Sequence, residues 1–182
     1  MFTCRIDDDL ELRLPEESNA EVFFEHIQKN KNYLMEWFRM IDWGDSVEGT
    51  RDRIKQFRRA YCENGDVVAF TYMKYELCGV IWTAHTDKSN KSTDIGYWVG
   101  KEHQGKGIVT RSCKALLRFL FQKSEINRVQ LRCVPKNERS KQMADRLGFT
   151  FEGTLRDAVW FRDHFEDFHC YSLLASEWSD QA

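Results

Sequence analysis

The chain has 182 residues, 42% of them hydrophobic and 31% charged, with a formal net charge of −2. That is enough apolar material for a packed core, which excludes a disordered chain, and the near-zero balance provides no global basic field for nucleic acid. No run of about 18 apolar residues argues for a membrane-spanning helix.

Residues 1–9 are polar and acidic, unlike a signal peptide. The six cysteines are scattered and form no C-x-x-C pair, which points to reduced thiols in a cytoplasm rather than disulfides or zinc. With only two prolines, no low-complexity tract and no repeat, the expectation is a single domain over residues 1–182.

Leu10, Leu12 and Leu14 alternate with Glu11 and Arg13 and predict a strand. Asn19 is placed to cap a helix over about 20–30, with Val22, Phe23, Phe24 and Ile27 on its apolar side. A second short helix is predicted around Leu34, Trp37 and Phe38, broken by residues 41–46. Residues 50–63 carry Ile54, Phe57 and Tyr61 at helical spacing.

Asn64-Gly65 then punctuates the chain. Strands are predicted over 67–75 and 77–85, joined as an antiparallel hairpin through Tyr75-Glu76. A polar loop over 87–91 leads to a strand over 93–99, a glycine turn, and a helix over 110–123. A strand over 128–134 stops at Pro135, Asn137 is placed to cap a helix over 138–147, and Gly148 ends it. Two last strands, 149–160 and 165–174, flank a turn over 162–164. Strands and helices alternate only in part. The pattern implies a mixed α/β (α+β) sandwich with a largely antiparallel sheet of about seven strands rather than a doubly wound parallel one.

The turn Gln104-Gly105-Lys106-Gly107-Ile108-Val109 is the most informative stretch. A glycine turn between strand and helix points backbone N–H groups outward, with the positive end of the helix dipole behind them, and so predicts an anion site, above all for phosphate. A Walker A loop is excluded because Lys106 stands between glycines with no Ser or Thr directly after it. A dinucleotide fingerprint would require glycine at the position of Thr110.

The turn resembles motif A of the GNAT superfamily of acetyl-CoA-dependent N-acetyltransferases, whose pattern is [QR]-x-x-G-x-[GA]. Gln104 and Gly107 match it, and Val109 departs from it. Asp94-Ile95-Gly96-Tyr97-Trp98-Val99 precedes the turn at the place of the family's fourth strand. Asn137-Glu138-Arg139-Ser140, before a helix ending in Leu147-Gly148-Phe149, is similar to the family's N-x-x-S…G-F element. The resemblance covers about residues 8–176 and is strongest to the branch that acetylates ribosomal-protein N-termini.

The resemblance implies direct attack of an amine on the thioester of acetyl-CoA, with no metal. Backbone N–H groups over Gln104, Gly105, Lys106, Gly107, Ile108 and Val109 would hold the pyrophosphate. A backbone N–H near Trp98 and Val99, at the end of the fourth strand, would meet the thioester oxygen. The fourth and fifth strands are expected to splay around the pantetheine arm, so that Arg132, Cys133 and Val134 line its other side and Asn137 holds it.

Asp94 aligns with a glutamate that serves as base in some relatives, ahead of Glu152 and Glu102. Ser140 stands where this branch has a serine proposed to protonate the leaving thiolate. An α-amine, with a pKa of roughly 7.7–8.0, asks little of such a base. Trp37, Trp43 and Tyr97 are the expected acceptor wall, and His103 is expected at the surface.

The implied function is acetylation of a protein N-terminal α-amine of ribosomal type in the cytoplasm, with no direct nucleic-acid or membrane binding and with homodimer formation open. A small-molecule acceptor (a polyamine, amino acid or antibiotic) and a non-catalytic acetyl-CoA-binding module are the alternatives.

Overall fold

The computed structural model describes residues 3–38 and 45–179. Eight strands are hydrogen-bonded in the order β1-β2-β3-β4-β5-β6-β8-β7. They are β1 (Thr3–Arg5), β2 (Leu10–Arg13), β3 (Val68–Met73), β4 (Glu76–Asp87), β5 (Ser92–Val99), β6 (Arg128–Cys133), β7 (Thr150–Phe161) and β8 (His164–Leu174). Among the described residues four α-helices accompany them: α1 (Ala20–Leu34), α2 (Val47–Glu63), α3 (Ile108–Gln122) and α4 (Glu138–Arg146). β5 and β6 pair in parallel, whereas β1–β2, β2–β3, β3–β4, β6–β8 and β7–β8 are antiparallel. The mixed, mostly antiparallel sheet expected from the sequence is therefore present. It has one more strand than expected because β1 is short and exposed throughout, without an alternation to betray it. The fourth and fifth predicted strands are accordingly β5 and β6.

The chain divides into two compact units, Met1–Thr83 with Tyr97–Cys113, and Ala84–Gly96 with Lys114–Ala182. In the first, α1 buries Phe23, Ile27 and Leu34 along one face, as three- and four-residue spacing dictates. They pack with Ile54 of α2, Phe70 and Tyr72 of β3, and Leu77 and Val80 of β4. The rings of Phe23 and Phe70 lie 4.3 Å apart. Each fully buried side chain of this size contributes roughly 1.5–3 kcal/mol relative to exposure.

Helix α1 runs past the predicted end at residue 30, because Leu34 continues the same apolar stripe. Among the described residues no second short helix forms around Trp37: the N–H groups of Trp37 and Phe38 both donate to the Leu34 carbonyl in a closing turn. Asn19 precedes α1 but does not cap it with its side chain. Its Oδ1 accepts from the Glu16 N–H at 2.8 Å, serving the 3-10 turn before the helix instead. Ser46 caps α2, accepting from Gly49 N–H at 3.1 Å, so that helix begins three residues before the prediction. The β3–β4 hairpin turns at Lys74-Tyr75, both at positive φ. That is the left-handed pair a two-residue type I′ loop requires, one residue earlier than expected.

In the second unit, β5 and β6 are in register from Ser92↔Arg128 to Ile95↔Leu131. β6 then pairs with β8, and β8 with β7 through the hairpin closed at Phe161↔His164. Val129, Leu131 and Cys133 are buried while Arg128, Gln130 and Arg132 between them are not. Period-two alternation thus places three long polar side chains on one face of β6.

Candidate active site

The expected site residues fall into one group in each unit. In the first unit, β5 ends at Val99 and a 3-10 turn (Lys101–His103) leads into the glycine turn and α3. Gly105 and Gly107 adopt φ of 74° and 69°, and a Cβ at either would meet nothing within 4 Å. Glycine is needed there for the left-handed backbone, not for space. Gly105, Lys106 and Gly107 are exposed. Ile108 opens α3, whose first turn contains no acidic residue to offset the dipole. The leading N–H groups of a helix have no intrahelical acceptors, so the turn presents a positive, donor-rich end to solvent.

This turn is fastened from below. Gly100 N–H donates to the Cys78 carbonyl at 2.8 Å, and Lys101 N–H donates to Oδ1 of Asn30 at 2.9 Å. Asn30 is itself buried and donates from Nδ2 to the His26 carbonyl at 3.0 Å. A methyl on Gly79 would lie 2.3 Å from the Trp98 carbonyl oxygen, so glycine alone lets β4 approach the end of β5 so closely.

Trp98 is buried with its ring stacked on His26, centroids 5.1 Å apart, and Val99 packs with Leu10, Cys78 and Ile108. Burial pushes the His26 imidazole below its ordinary range, against the opposing pull of Glu102. His103 is buried, not at the surface as expected. It faces Glu76 and Glu102, with its Nε2 at 3.8 and 3.9 Å from their carboxylates. The reason is that the 3-10 turn rotates its ring inward to within 6.3 Å of the His26 ring, a direction the local sequence does not encode.

One turn into α3, Arg111 bonds Asp7 at 2.6 Å and Asp9 at 3.0 Å. Burial alone would raise the Asp7 carboxyl; the Arg111 guanidinium and the Asp9 and Leu10 N–H groups outweigh it and hold it at about 2. Tyr97 and Trp37 are both half-buried. Trp43 lies outside the described residues.

In the second unit, Asp94 points from the polar face of β5, with Thr93 and Ile95 buried on either side. Asp94 lies directly across from Gln130. Its Oδ2 receives the Arg132 guanidinium and lies 3.0 Å from Nδ1 of His85. His85, Asp94, Gln130 and Arg132 line a concavity of about 390 Å³. His85 was not among the expected site residues. Its strand position carries no motif, and it sits at φ 55°, which a linear alternation does not foretell.

Glu152 is occupied by Arg128 and by the Ser172 hydroxyl, and the Arg128 bond holds its carboxyl below the usual range. Glu102 is likewise lowered, burial notwithstanding, by its bond from Lys29. Asn137 caps α4, its Oδ1 accepting from Ser140 N–H at 3.1 Å, so the backbone of Ser140 serves the cap while its hydroxyl does not. Cys133 is buried, and that burial pushes its thiol up to about 11. At neutral pH it is a thiol rather than a thiolate, a poor nucleophile. Among the described residues no cluster of His, Cys, Asp and Glu is arranged to hold a metal, and no helix is long and apolar enough to cross a membrane.

Residues 9–150 match the model of the acetyltransferase (GNAT) domain. The putative ribosomal N-acetyltransferase YdaF of Bacillus subtilis is 34% identical over 182 residues, 100% of both chains. The ribosomal-protein-serine acetyltransferase of Escherichia coli is 29% identical over 94% of this chain and 96% of its own. Among solved structures, RimL, a ribosomal L7/L12 α-N-protein acetyltransferase in complex with coenzyme A through a cysteine disulfide, superimposes with a TM-score of 0.91. It is 25% identical and covers 95% of this chain and 98% of its own. With a family model spanning most of the chain and a relative aligned along its whole length, this protein belongs to the GNAT family and is an N-acetyltransferase.

Proposed function

We propose that the protein transfers the acetyl group of acetyl-CoA to the α-amine of a protein N-terminus of ribosomal type. The observation that carries the cofactor is the exposed glycine turn at the head of α3, with two left-handed glycines and no acid in the first helical turn. Such a turn suits the pyrophosphate of CoA. The acceptor rests on the relatives, three of which carry ribosomal-protein names.

Roles are assigned residue by residue. N–H groups from Gln104 to Val109 bind the pyrophosphate, and Lys106 adds a solvated positive charge. The strand end at Trp98 and Val99 offers a backbone donor to the thioester oxygen, which gains charge as the amine attacks. Asn137 steadies the cofactor arm, Cys133 packs as an inert wall, and Ser140 relays a proton to the departing thiolate. Asp94 belongs to the group that takes the proton from the amine. Trp37 and Tyr97 form the acceptor wall.

Thermal shift with acetyl-CoA followed by a peptide-array acetylation screen tests this. Stabilisation that grows with acetyl-CoA concentration, and preferred transfer to peptides with a free α-amine over N-blocked peptides containing lysine, are expected. No shift at saturating acetyl-CoA sinks the cofactor assignment. A preference for polyamines over every peptide sinks the acceptor assignment and leaves the enzyme class standing.

A further inference from the structure

We infer that His85, oriented by Asp94, is the base that removes the proton from the acceptor amine; this deepens the acetyl-transfer reading above and rests on it. The first observation is the division of hydrogen bonds at Asp94. Its Oδ2 carries both the Arg132 guanidinium and His85 Nδ1. A carboxylate only accepts, so Nδ1 of His85 bears the proton and donates. In the neutral imidazole that fixes the tautomer and leaves the lone pair on Nε2. Asp94 itself is engaged twice on one oxygen and acts as the orienter, the arrangement in which an imidazole serves as base.

The second observation is the backbone. His85 is a non-glycine residue at φ 55° inside a twelve-residue strand. The buried Thr93 on β5 receives both of its neighbours: its Oγ1 donates to the Ala84 carbonyl at 3.3 Å and lies 2.8 Å from the Thr86 hydroxyl. Both neighbours of His85 are thus held by one buried residue of the adjoining strand, which fixes the backbone on either side of the left-handed position. Left-handed backbone is disfavoured at a side chain with Cβ, and such outliers concentrate at functional sites. Here the left-handed residue presents its imidazole to the Asp94 carboxylate at 3.0 Å and is 78% exposed at the mouth of the concavity.

The groups facing the imidazole are Asp94 from β5 and Arg132 from β6, with the neutral Gln130 between them in the lining. Farther along β6, Arg128 is committed to Glu152. The proton balance follows. An α-ammonium gives one proton to Nε2 of His85, which becomes imidazolium and passes it to water. The freed lone pair forms the C–N bond to the thioester carbon. The C–S bond breaks with its electron pair on sulfur, and the second amine proton is delivered to that thiolate, through Ser140 or solvent, to give coenzyme A and the amide.

The test uses the full chain, acetyl-CoA and a peptide with a free α-amine. His85→Gln is expected to lower kcat/KM at neutral pH about 100-fold while the acetyl-CoA Kd stays within about twofold. Its deficit should shrink as pH rises and the amine deprotonates by itself. Asp94→Asn presents an N–H to Nδ1 and moves the proton to Nε2, so it should lose a similar factor. Added imidazole should restore part of the rate in His85→Ala. A His85→Gln enzyme within about threefold of the parent at neutral pH, or one with the parent's pH profile, overturns the proposal while the acetyltransferase reading stands. Loss in Asp94→Asn without loss in His85→Gln also overturns it, in favour of Asp94 as the base. A parent protein that transfers acetyl to no amine overturns the function reading and this proposal together.

Discussion

The Lys101 N–H donates to the side-chain oxygen of Asn30 across 71 positions of sequence. This single bond ties a buried amide on α1 to the entrance of the glycine turn. The chain between Val99 and α3 is short and largely exposed, so its aim depends on such fixings.

Replacing Asn30 with Leu leaves the Lys101 N–H without its acceptor and fills the space of a polar group with an apolar one. A loss of about 1–3 kcal/mol is expected, or a fall in Tm of several degrees for a chain of this size. The acetyl-CoA Kd should rise as well. Thermal unfolding and calorimetric titration check the two effects separately, and a Kd unchanged in a destabilised variant would show that the turn keeps its aim without α1.

The glycines separate into two physical kinds. At Gly79 a methyl would strike the Trp98 backbone at 2.3 Å, and neither strand can yield without breaking its ladder. Gly79→Ala should therefore destabilise by about 3 kcal/mol or more, or fail to fold. At Gly105 there is open space and only an unfavourable φ. Gly105→Ala should cost about 1–2 kcal/mol, and urea midpoints should rank the two accordingly.

Ser140 offers a clean substitution because Asn137 caps α4 through the Ser140 N–H, which alanine retains. Ser140→Ala should keep stability within about 0.5 kcal/mol and lower kcat about tenfold or more if the hydroxyl relays the leaving-group proton. Asn137→Ala removes the cap and should cost about 1 kcal/mol along with acetyl-CoA affinity. Full turnover in Ser140→Ala would remove the hydroxyl from the reaction.

The Arg111–Asp7 contact makes part of the stability acid-labile. Asp7 is lowered in the folded state from 3.8 to about 2. A depressed carboxyl contributes stability that is present above its unfolded value and lost as pH falls through the folded one. The loss should therefore lie between about pH 4 and pH 2. Arg111→Gln should flatten the urea midpoint against pH in that window, and an unaltered slope would assign the acid loss to other carboxylates.

Much of the fold was legible because it is written locally. Alternation along residues 10–13, the Asn137 cap and the glycine turn each reside within a few neighbouring residues, and each formed where expected, whereas the stripe of α1 kept Phe23 and Ile27 but left Val22 exposed. The errors were also physical. Asn19 was drawn to the preceding 3-10 turn because its Oδ1 met the Glu16 N–H first, and the helix around Trp37 failed because Leu34 belonged to α1. His103 was misplaced at the surface since nothing in its immediate sequence records the approach of His26.

The sequence by itself determined most of the order of elements, the glycine turn and the family. Periodicity, capping and glycine placement act over a turn or two of chain, so linear text carries them. Only the tertiary structure decided that Asp94 is shared between Arg132 and His85, and that Asn30 holds Lys101. The first depends on the register of β5 against β6 and on the left-handed backbone at His85, the second on how α1 packs beneath the turn. A single slip in register would undo the Asp94–Arg132 pairing without changing a letter of either strand.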